Sequence, residues 1–574
     1  MARHLVTSAL PYINGVKHLG NLVGSMLPAD VVARYLRARG HEVLFICATD
    51  EHGTPAELAA AEAGLDVQVF CDQAHAVQAD LNARYGLSFD FFGRTSDQHN
   101  HVLTQHFARQ LAQAGLLEKR TIEMIYSPTD GRFLPDRYVT GTCPYCGYDK
   151  ARGDQCDGCG RLLDPTMLIN PRSTVSGATD LEVRASASLF LRQSQMVDTV
   201  ANWVDQTTGL GDLPRSIARK WLDEGLEDRD ITRDLKWGIP VPSDLPGIDP
   251  EGLANKVWYV WFDAPIGYIG ATAQWADANG ADYRDWWFGE AASDVTYTQI
   301  MGKDNVAFHT VSFPITQLGS GEPWKMVDRL KAFNWLTYYG GKFSTSQGVG
   351  VFMDQALEVA SADAWRWYLI SNAPESSDTS FTWDAFARAM NTELAGNLGN
   401  YVNRCLAFTA KKFSGEDGPV VPSEGTPGEI EYELGRDVAA KVDDIALHFD
   451  AMEMRKATRA IRELWSLGNQ YLETREPWRM VKTDPDMAQM VLRTAIQLIP
   501  IFASVASPVI PNTATTLGNA VDVSVDAWPE QVADLIPSAG IVPAGRPFTV
   551  PPILFAKVDD QQIEEWSARF GGQR

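Results

Sequence analysis

The sequence predicts an α/β fold: a Rossmann-type parallel sheet, broken by an insertion and followed by an all-α domain. Three observations point there. Residues 4–9 form a short apolar run, a polar loop and a helical segment follow, and residues 43–47 form a second apolar run. That is the βαβ opening of an open parallel sheet. Farther on, residues 295–301 end in Gly302-Lys303-Asp304, and residues 330–335 lead to Gly340-Gly341. Polar residues just beyond strand ends are where such sheets bind ligands. After about Ser380 the apolar positions step by three and four, which marks amphipathic helices.

The elements follow in order. Pro28 suits the first turn of a helix; Val31, Val32, Tyr35 and Leu36 give it an apolar face and Gly40 ends it. The second strand closes in Ala48-Thr49-Asp50-Glu51-His52-Gly53. Turns, cysteines and mixed polarity over residues 117–230 mark the insertion. Residues 257–262 then read as a strand ending in Asp263-Ala264-Pro265. In the helical region Met454, Ala457, Ile461, Leu464, Gly468 and Tyr471 share one face. A Pro/Gly/Glu/Ser-rich loop, 414–428, separates two helical blocks. Residues 547–555 read as an extended apolar tail that packs back on the body.

At 574 residues the chain is too long for a single core. A net charge of −23 argues against a non-specific nucleic-acid binder. It leaves room for a partner held by local basic faces, with salt-sensitive binding. The longest apolar stretch, 496–510, is broken by Pro500, Ser504, Ser507 and Pro508. It is too interrupted for a membrane span of about 20 apolar residues. No apolar signal core opens the chain. A soluble, cytoplasmic protein with no membrane partner is expected.

Of seven cysteines, Cys47, Cys71 and Cys405 are scattered and read as core. The other four form two knuckles, Cys143-Pro-Tyr-Cys146 and Cys156-Asp-Gly-Cys159, each followed by a glycine, Gly147 and Gly160. Four thiolates at this spacing suit one tetrahedral, structural Zn2+; disulfides are the alternative, disfavoured inside cells.

Two distant stretches read as a nucleotide-phosphate clamp. His18-Leu19-Gly20-Asn21 lies where a loop opens a helix, whose free N–H groups and dipole attract phosphate. Gly20 removes a side chain there, and His18 and Asn21 offer hydrogen bonds to an α-phosphate. Lys342 with Ser344, Thr345 and Ser346 places one cation and three hydroxyls on a glycine-hinged loop. Asp50, just past a strand, is placed to meet an ammonium group. Trp261, Ala264, Pro265, Tyr268 and His309 read as an apolar pocket with one polar handle. The plain readings are a helix cap, a solvated loop and core aromatics; the ordered pair of motifs outweighs them.

On these residues the chain resembles class I aminoacyl-tRNA synthetases, and among them the methionyl family, over essentially its full length. His18-Leu19-Gly20-Asn21 is similar to the family's first nucleotide motif, and residues 342–346 to its second, on a mobile loop. The cysteine knuckles resemble those inserted between the two Rossmann halves, and residues 259–268 resemble the methionine-pocket strand. The resemblance implies that ATP, with Mg2+, activates L-methionine to methionyl-adenylate. The methionyl group then passes to the terminal adenosine of tRNA(Met).

By the same resemblance His18, Asn21 and Lys342 are catalytic, and Gly20, Ser344, Thr345, Arg233, Lys303 and Asp304 join them around ATP. Leu10, Tyr12, Asp50, Trp261, Ala264, Pro265, Tyr268 and His309 hold methionine. Asn400, Arg404 and Trp478 read a CAU anticodon, Trp478 by stacking on a splayed base; bundle packing is the plain reading of that tryptophan. The implied organisation is a Rossmann domain in two halves, 1–117 and 235–325, around an insertion, 118–234. A loop and stem-contact region, 326–387, an α-helical anticodon-binding domain, 388–545, and a tail, 546–574, follow.

Two departures stand out. Thr345 occupies the position of a second lysine, and Asn21 that of a common histidine. No appended dimer-forming domain follows the helices, so a monomer is expected. The rivals are a class I synthetase for leucine, isoleucine or valine, which the short insertion disfavours, a non-catalytic tRNA-binding paralogue, and a small-molecule adenylyltransferase.

Overall fold

The computed structural model describes residues 1–153, 156, 158, 159, 161, 163–343, 349–415 and 418–570. Ser344, Thr345, Ser346 and Gly160 lie outside them.

Six parallel strands form the central sheet, in the order Gly209–Leu210, Arg329–Phe333, Val295–Gly302, Arg3–Ser8, Glu42–Thr49, Phe91–Arg94. Helices cover both faces, so the middle strands are buried throughout, as Leu44, Phe45, Ile46, Cys47 and Ala48 show. Chain order reverses between Arg3–Ser8 and Val295–Gly302. A crevice opens beyond strand ends at such a switch point.

The helix after the first strand starts earlier than Pro28 suggests. It runs from Leu19 through a wide π turn, Leu22–Met26, into Leu27–Ala38. Proline donates no N–H, and the π turn before it takes up the break.

Residues 257–262 are not a strand of the sheet. Only Val257–Trp258 are extended, and Val260–Asn279 is a helix. Its residues are buried almost all round, so no polar face betrays the 3.6 period. Its start is rich in strand-forming Val, Trp and Phe.

The stretch 118–234 is antiparallel where Leu117–Ser127 pairs with Glu182–Leu191. A smaller sheet of Val139–Thr142, Ala151–Arg152 and Ile169–Ser173 carries the cysteine knuckles. The chain then returns: Gly209–Leu210 joins the main sheet, and Val200, Val204, Ala218 and Leu222 pack in one core with Leu5, Ile46 and Leu330.

The C-terminal half is helical, with long helices Glu429–Asp450, Met454–Arg475 and Pro485–Ala506. The face expected on Met454, Ala457, Ile461, Leu464 and Tyr471 is buried. Pro485–Ala506 continues through Pro500. Among the described residues it is the one helix long and apolar enough to cross a membrane, yet 94% of its apolar window is buried inside the protein. Residues 547–555 are extended, bridge to Val420 at Pro547, and bury Phe548 and Phe555. They lead to a helix, Asp560–Arg569, whose Trp566 packs on Trp383.

The two halves meet at a buried ion pair. Arg366 and Asp30, both side chains fully buried, lie 2.6 Å apart. Arg366 also donates to the carbonyls of Pro508, Val509 and Tyr85. Burial alone would push the Asp30 carboxyl up, but Arg366, Arg34 and the Ser88 hydrogen bonds hold it below the usual range.

Candidate active site

A cavity of about 490 Å³ opens at the switch point of the sheet. Ala9, Leu10 and Tyr12 line it from the end of one strand, Gly302 and Asp304 from the end of its neighbour, and Asp50 from the third. His18, Gly20 and Asn21 line one wall and Lys342 another.

The two distant motifs touch. The Leu19 N–H donates to the Val351 carbonyl at 3.1 Å, and the Met353 N–H to the Lys17 carbonyl at 2.9 Å. The His18 ring stacks on Phe343, centroids 4.8 Å apart. The loop's near end is a tight hairpin: Thr337 pairs with Lys342 and Tyr338 with Gly341. Both turn residues, Tyr339 (φ 47°) and Gly340 (φ 82°), are left-handed, as a two-residue hairpin requires. Lys342 is therefore held on a strand, its Nζ 4.7 Å from the centroid of the Trp335 ring.

His18 caps the helix with its side chain. Its Nδ1 accepts the Asn21 N–H at 3.3 Å, while the Asn21 Oδ1 accepts the His18 N–H at 3.2 Å. Burial lowers the His18 pKa to about 4, with Lys17 adding to it. The ring is neutral at pH 7, and since Nδ1 accepts, its proton sits on Nε2 as a donor. A side chain at Gly20 would come within 3.0 Å of that ring, so the glycine serves His18 as much as a ligand.

Asp50 is buried, and its Oδ1 has no hydrogen-bond partner. Burial pushes its carboxyl well above the usual range; Asp263 and Glu51 add to this and Lys17 opposes it. A buried carboxylate with an open oxygen beside a cavity is a site for a cation from the ligand.

The apolar residues divide. Leu10, Tyr12 and Trp261 reach the cavity. Trp261 stacks on Phe308, centroids 3.9 Å apart, and with Pro265 lines a second, much smaller cavity. Ala264, Tyr268 and His309 are buried and line neither. His309 is no free polar handle: Nδ1 bonds the Asn305 carbonyl at 2.7 Å and Nε2 the Tyr268 hydroxyl at 2.8 Å. The carbonyl only accepts, so Nδ1 carries the proton and Nε2 accepts from tyrosine. Burial lowers the His309 pKa to about 4.

Lys303 stands beside the cavity, bonded to Asp378 at 2.7 Å and packed over Trp335. Asp304 accepts the Trp335 indole N–H at 2.7 Å. Arg233 lies elsewhere. It is held by Asp136 at 3.0 Å and Asp230 at 3.1 Å, over the Tyr259 ring, and lines a different cavity. Two carboxylates reached from the insertion outcompete the nucleotide crevice for its guanidinium. Trp335 and Phe308 were missed in the sequence; each adjoins a feature that was noted, the end of the 330–335 run and His309.

The cysteine cluster fits zinc. All four Sγ atoms lie within 4.8 Å of one another, with Cys143–Cys159 at 3.9 Å and Cys146–Cys156 at 3.6 Å. Tetrahedral thiolates about 2.3 Å from zinc would be roughly 3.8 Å apart; a disulfide needs about 2.05 Å. Gly147 (φ 75°) allows the tight turn after the first knuckle.

In the helical half Arg404 packs over Trp478, 4.7 Å from its centroid, and pairs with Glu473 at 3.3 Å. Asn400, one helical turn away, is exposed and donates to Asn469 at 3.2 Å. Trp478 is half-buried, so the plain packing reading accounts for only part of it.

Comparisons with known proteins agree with this geometry. The family described as tRNA synthetases class I (M) matches residues 4–406, and the anticodon binding domain of methionyl tRNA ligase matches residues 421–574. Methionine–tRNA ligases of Streptomyces avermitilis and Caulobacter vibrioides are each 56% identical to it, across 100% of both chains. The fold is that of a solved Mycobacterium tuberculosis methionyl-tRNA synthetase in complex with methionyl-adenylate, with a TM-score of 0.74 at 24% identity, covering 97% of this chain and 100% of that one. With both halves matched and relatives more than half identical end to end, the chain belongs to the methionyl family of class I tRNA synthetases.

Proposed function

We propose that the cavity joins ATP and L-methionine, and that the helical half presents tRNA(Met) for charging. The observation that carries this is Asp50: a buried carboxyl with an unpartnered oxygen, in the wall of the crevice that His18 and Lys342 also line. The methionine ammonium pairs with Asp50, and its side chain lies among Leu10, Tyr12 and Trp261. Ala264, Pro265, Tyr268 and His309 complete the surroundings of that side chain. A carboxylate oxygen of methionine then attacks the α-phosphorus of ATP, and the bond to pyrophosphate breaks. His18 donates Nε2–H to the phosphates, Gly20 and Asn21 border them, and Lys342 supplies charge. Lys303 and Asp304 border the nucleotide with Trp335, Ser344 and Thr345 extend the loop's contribution, and Mg2+ enters with ATP.

In the second step the methionyl group passes to the terminal adenosine of tRNA(Met). Asn400, Arg404 and Trp478 contact the CAU anticodon, the tryptophan by stacking. The four cysteines hold one structural Zn2+, with no coordination position left for substrate. The enzyme acts as a cytoplasmic monomer.

Methionine-dependent ATP–pyrophosphate exchange tests the first step, run beside leucine and isoleucine; exchange with methionine alone is expected. Charging of a CAU transcript tests the second. Trp478→Ala should lower charging at least tenfold while leaving exchange unchanged, and equal loss of both would refute the anticodon role.

A further inference from the structure

Lys17 precedes His18 and is only 6% exposed, yet it lines the cavity at the switch point of the sheet. Its Nζ has one hydrogen-bond partner among the described residues, the amide oxygen of Asn14 at 3.2 Å. No carboxylate oxygen of the described residues comes within 4.0 Å of it. Another buried lysine shows the contrast: Lys256, 3% exposed, is paired with Asp234 at 2.6 Å. Burying an ammonium without a counter-ion is costly. A lysine kept in that state on a cavity wall takes its counter-ion from the ligand.

Its main chain is pinned. The Lys17 carbonyl accepts the Met353 N–H, and the neighbouring Leu19 N–H reaches Val351. The ammonium is thus carried on a rigid stem between the helix that His18 caps and the end of the Lys342 loop. That loop, residues 340–350, contains a single cation, Lys342, which is exposed. A triphosphate entering the cavity needs more positive charge than Lys342 alone provides.

We propose that Lys17 is a further catalytic residue of adenylate formation, its ammonium leaving Asn14 to bind the α-phosphate oxygens while the methionine carboxylate attacks. This rests on the methionine-activating reading above. The new bond joins a carboxylate oxygen to the α-phosphorus, the bond to the pyrophosphate oxygen breaks, and the electron pair leaves with pyrophosphate. Lys17 keeps its three protons throughout and stabilises the added negative charge electrostatically. Asp50, on the same cavity wall, is the acid that attracts the Lys17 ammonium. Once the methionine ammonium occupies Asp50, that attraction is spent and Lys17 is released toward phosphate.

The charge on Lys17 is also titratable in a useful range. Burial lowers its pKa to about 8, opposed by Asp50. The other titratable groups lining the cavity are Tyr12, His18, Asp50, Asp304 and Lys342.

The test uses the full chain, its Lys17→Gln and Lys17→Arg variants, and exchange at saturating methionine from pH 6.5 to 9.5. Wild-type kcat/KM for ATP should fall above about pH 8, as the lysine of the ATP-free enzyme loses its proton. Lys17→Gln should lower kcat about a hundredfold at pH 7.5, with the calorimetric Kd for methionine alone changed less than threefold. Lys17→Arg, which stays charged, should keep at least a tenth of the rate and lose the alkaline fall. Exchange by Lys17→Gln within threefold of wild type, or an alkaline fall retained by Lys17→Arg, would overturn the proposal. Should Lys17→Gln fail to fold, the arginine pH profile decides alone. A wild-type chain without methionine-dependent exchange would sink the parent reading as well, whereas an active wild type with an unaffected glutamine variant sinks only the role of Lys17.

Discussion

The Asn21 N–H binds Nδ1 of His18 at 3.3 Å while the Asn21 side chain returns the bond to the His18 N–H at 3.2 Å. This exchange orients the imidazole and leaves Nε2–H for the ligand. Asn21→Ala removes the returning bond. It should cost about 1 kcal/mol of stability, as lost caps do, and slow ATP–pyrophosphate exchange about tenfold. Thermal unfolding and exchange on one sample check both.

Lys342 stands over the Trp335 ring on a hairpin strand, in a loop with threonine where a second lysine is common. Lys342→Ala should slow exchange by more than about tenfold, or 1.4 kcal/mol. A smaller effect would mean that the loop's cation is dispensable.

Asp50→Asn should separate stability from activity. Burial holds this carboxyl well above its usual range in the folded chain. The folded state therefore resists ionisation that the unfolded state undergoes freely, and the carboxylate form lowers stability near neutral pH. Asparagine removes that burden, so Tm should rise. Methionine loses its counter-ion, so its KM should rise about a hundredfold, in line with about 1.5–3 kcal/mol for a bond to a charged group. In the wild type, methionine affinity should weaken as pH falls and Asp50 takes up its proton, which calorimetry at several pH values would show.

Removing one thiolate should release the metal. Purified protein is expected to carry about one zinc per chain by elemental analysis. Cys156→Ala, which removes a buried ligand, should abolish it and unfold the surrounding small sheet at lower temperature, because binding energy here is folding energy.

Arg366 and Asp30 tie the sheet's first helix to the segment before the last bundle helices. Arg366→Met leaves the buried Asp30 carboxylate with only Arg34 and Ser88 as partners and should cost about 3 kcal/mol, read from denaturant unfolding. Since the Asp30 carboxyl is held low in the folded chain, its contribution is complete above its unfolded pKa of about 3.9. It is lost as pH falls through the lower folded value. Asp30→Asn should flatten that acid limb.

How legible the site was depended on residue type. His18, Gly20, Asn21 and Lys342 sit in short motifs whose local geometry, a capped helix start and a tight hairpin, is set by neighbours in sequence. The helix at Val260–Asn279 was misread because burial on all sides erases its period. Arg233 lines another cavity for a different reason. Its partners Asp136 and Tyr259 come from distant segments, and no spacing rule reports which carboxylate wins a guanidinium.

By itself the sequence determined the chemistry available: two nucleotide motifs, four clustered cysteines, an acid beyond the second strand and a helical C-terminal half. Those follow from residue type and local periodicity, which act over a few positions. Only the tertiary structure decided that Tyr268 and His309 are buried outside the cavity lining, that both His309 nitrogens are already engaged, and that Lys17 is buried with no carboxylate of the described residues within 4.0 Å. These depend on which segments the sheet order brings together, because desolvation and charge pairing act across space and leave no period in the chain.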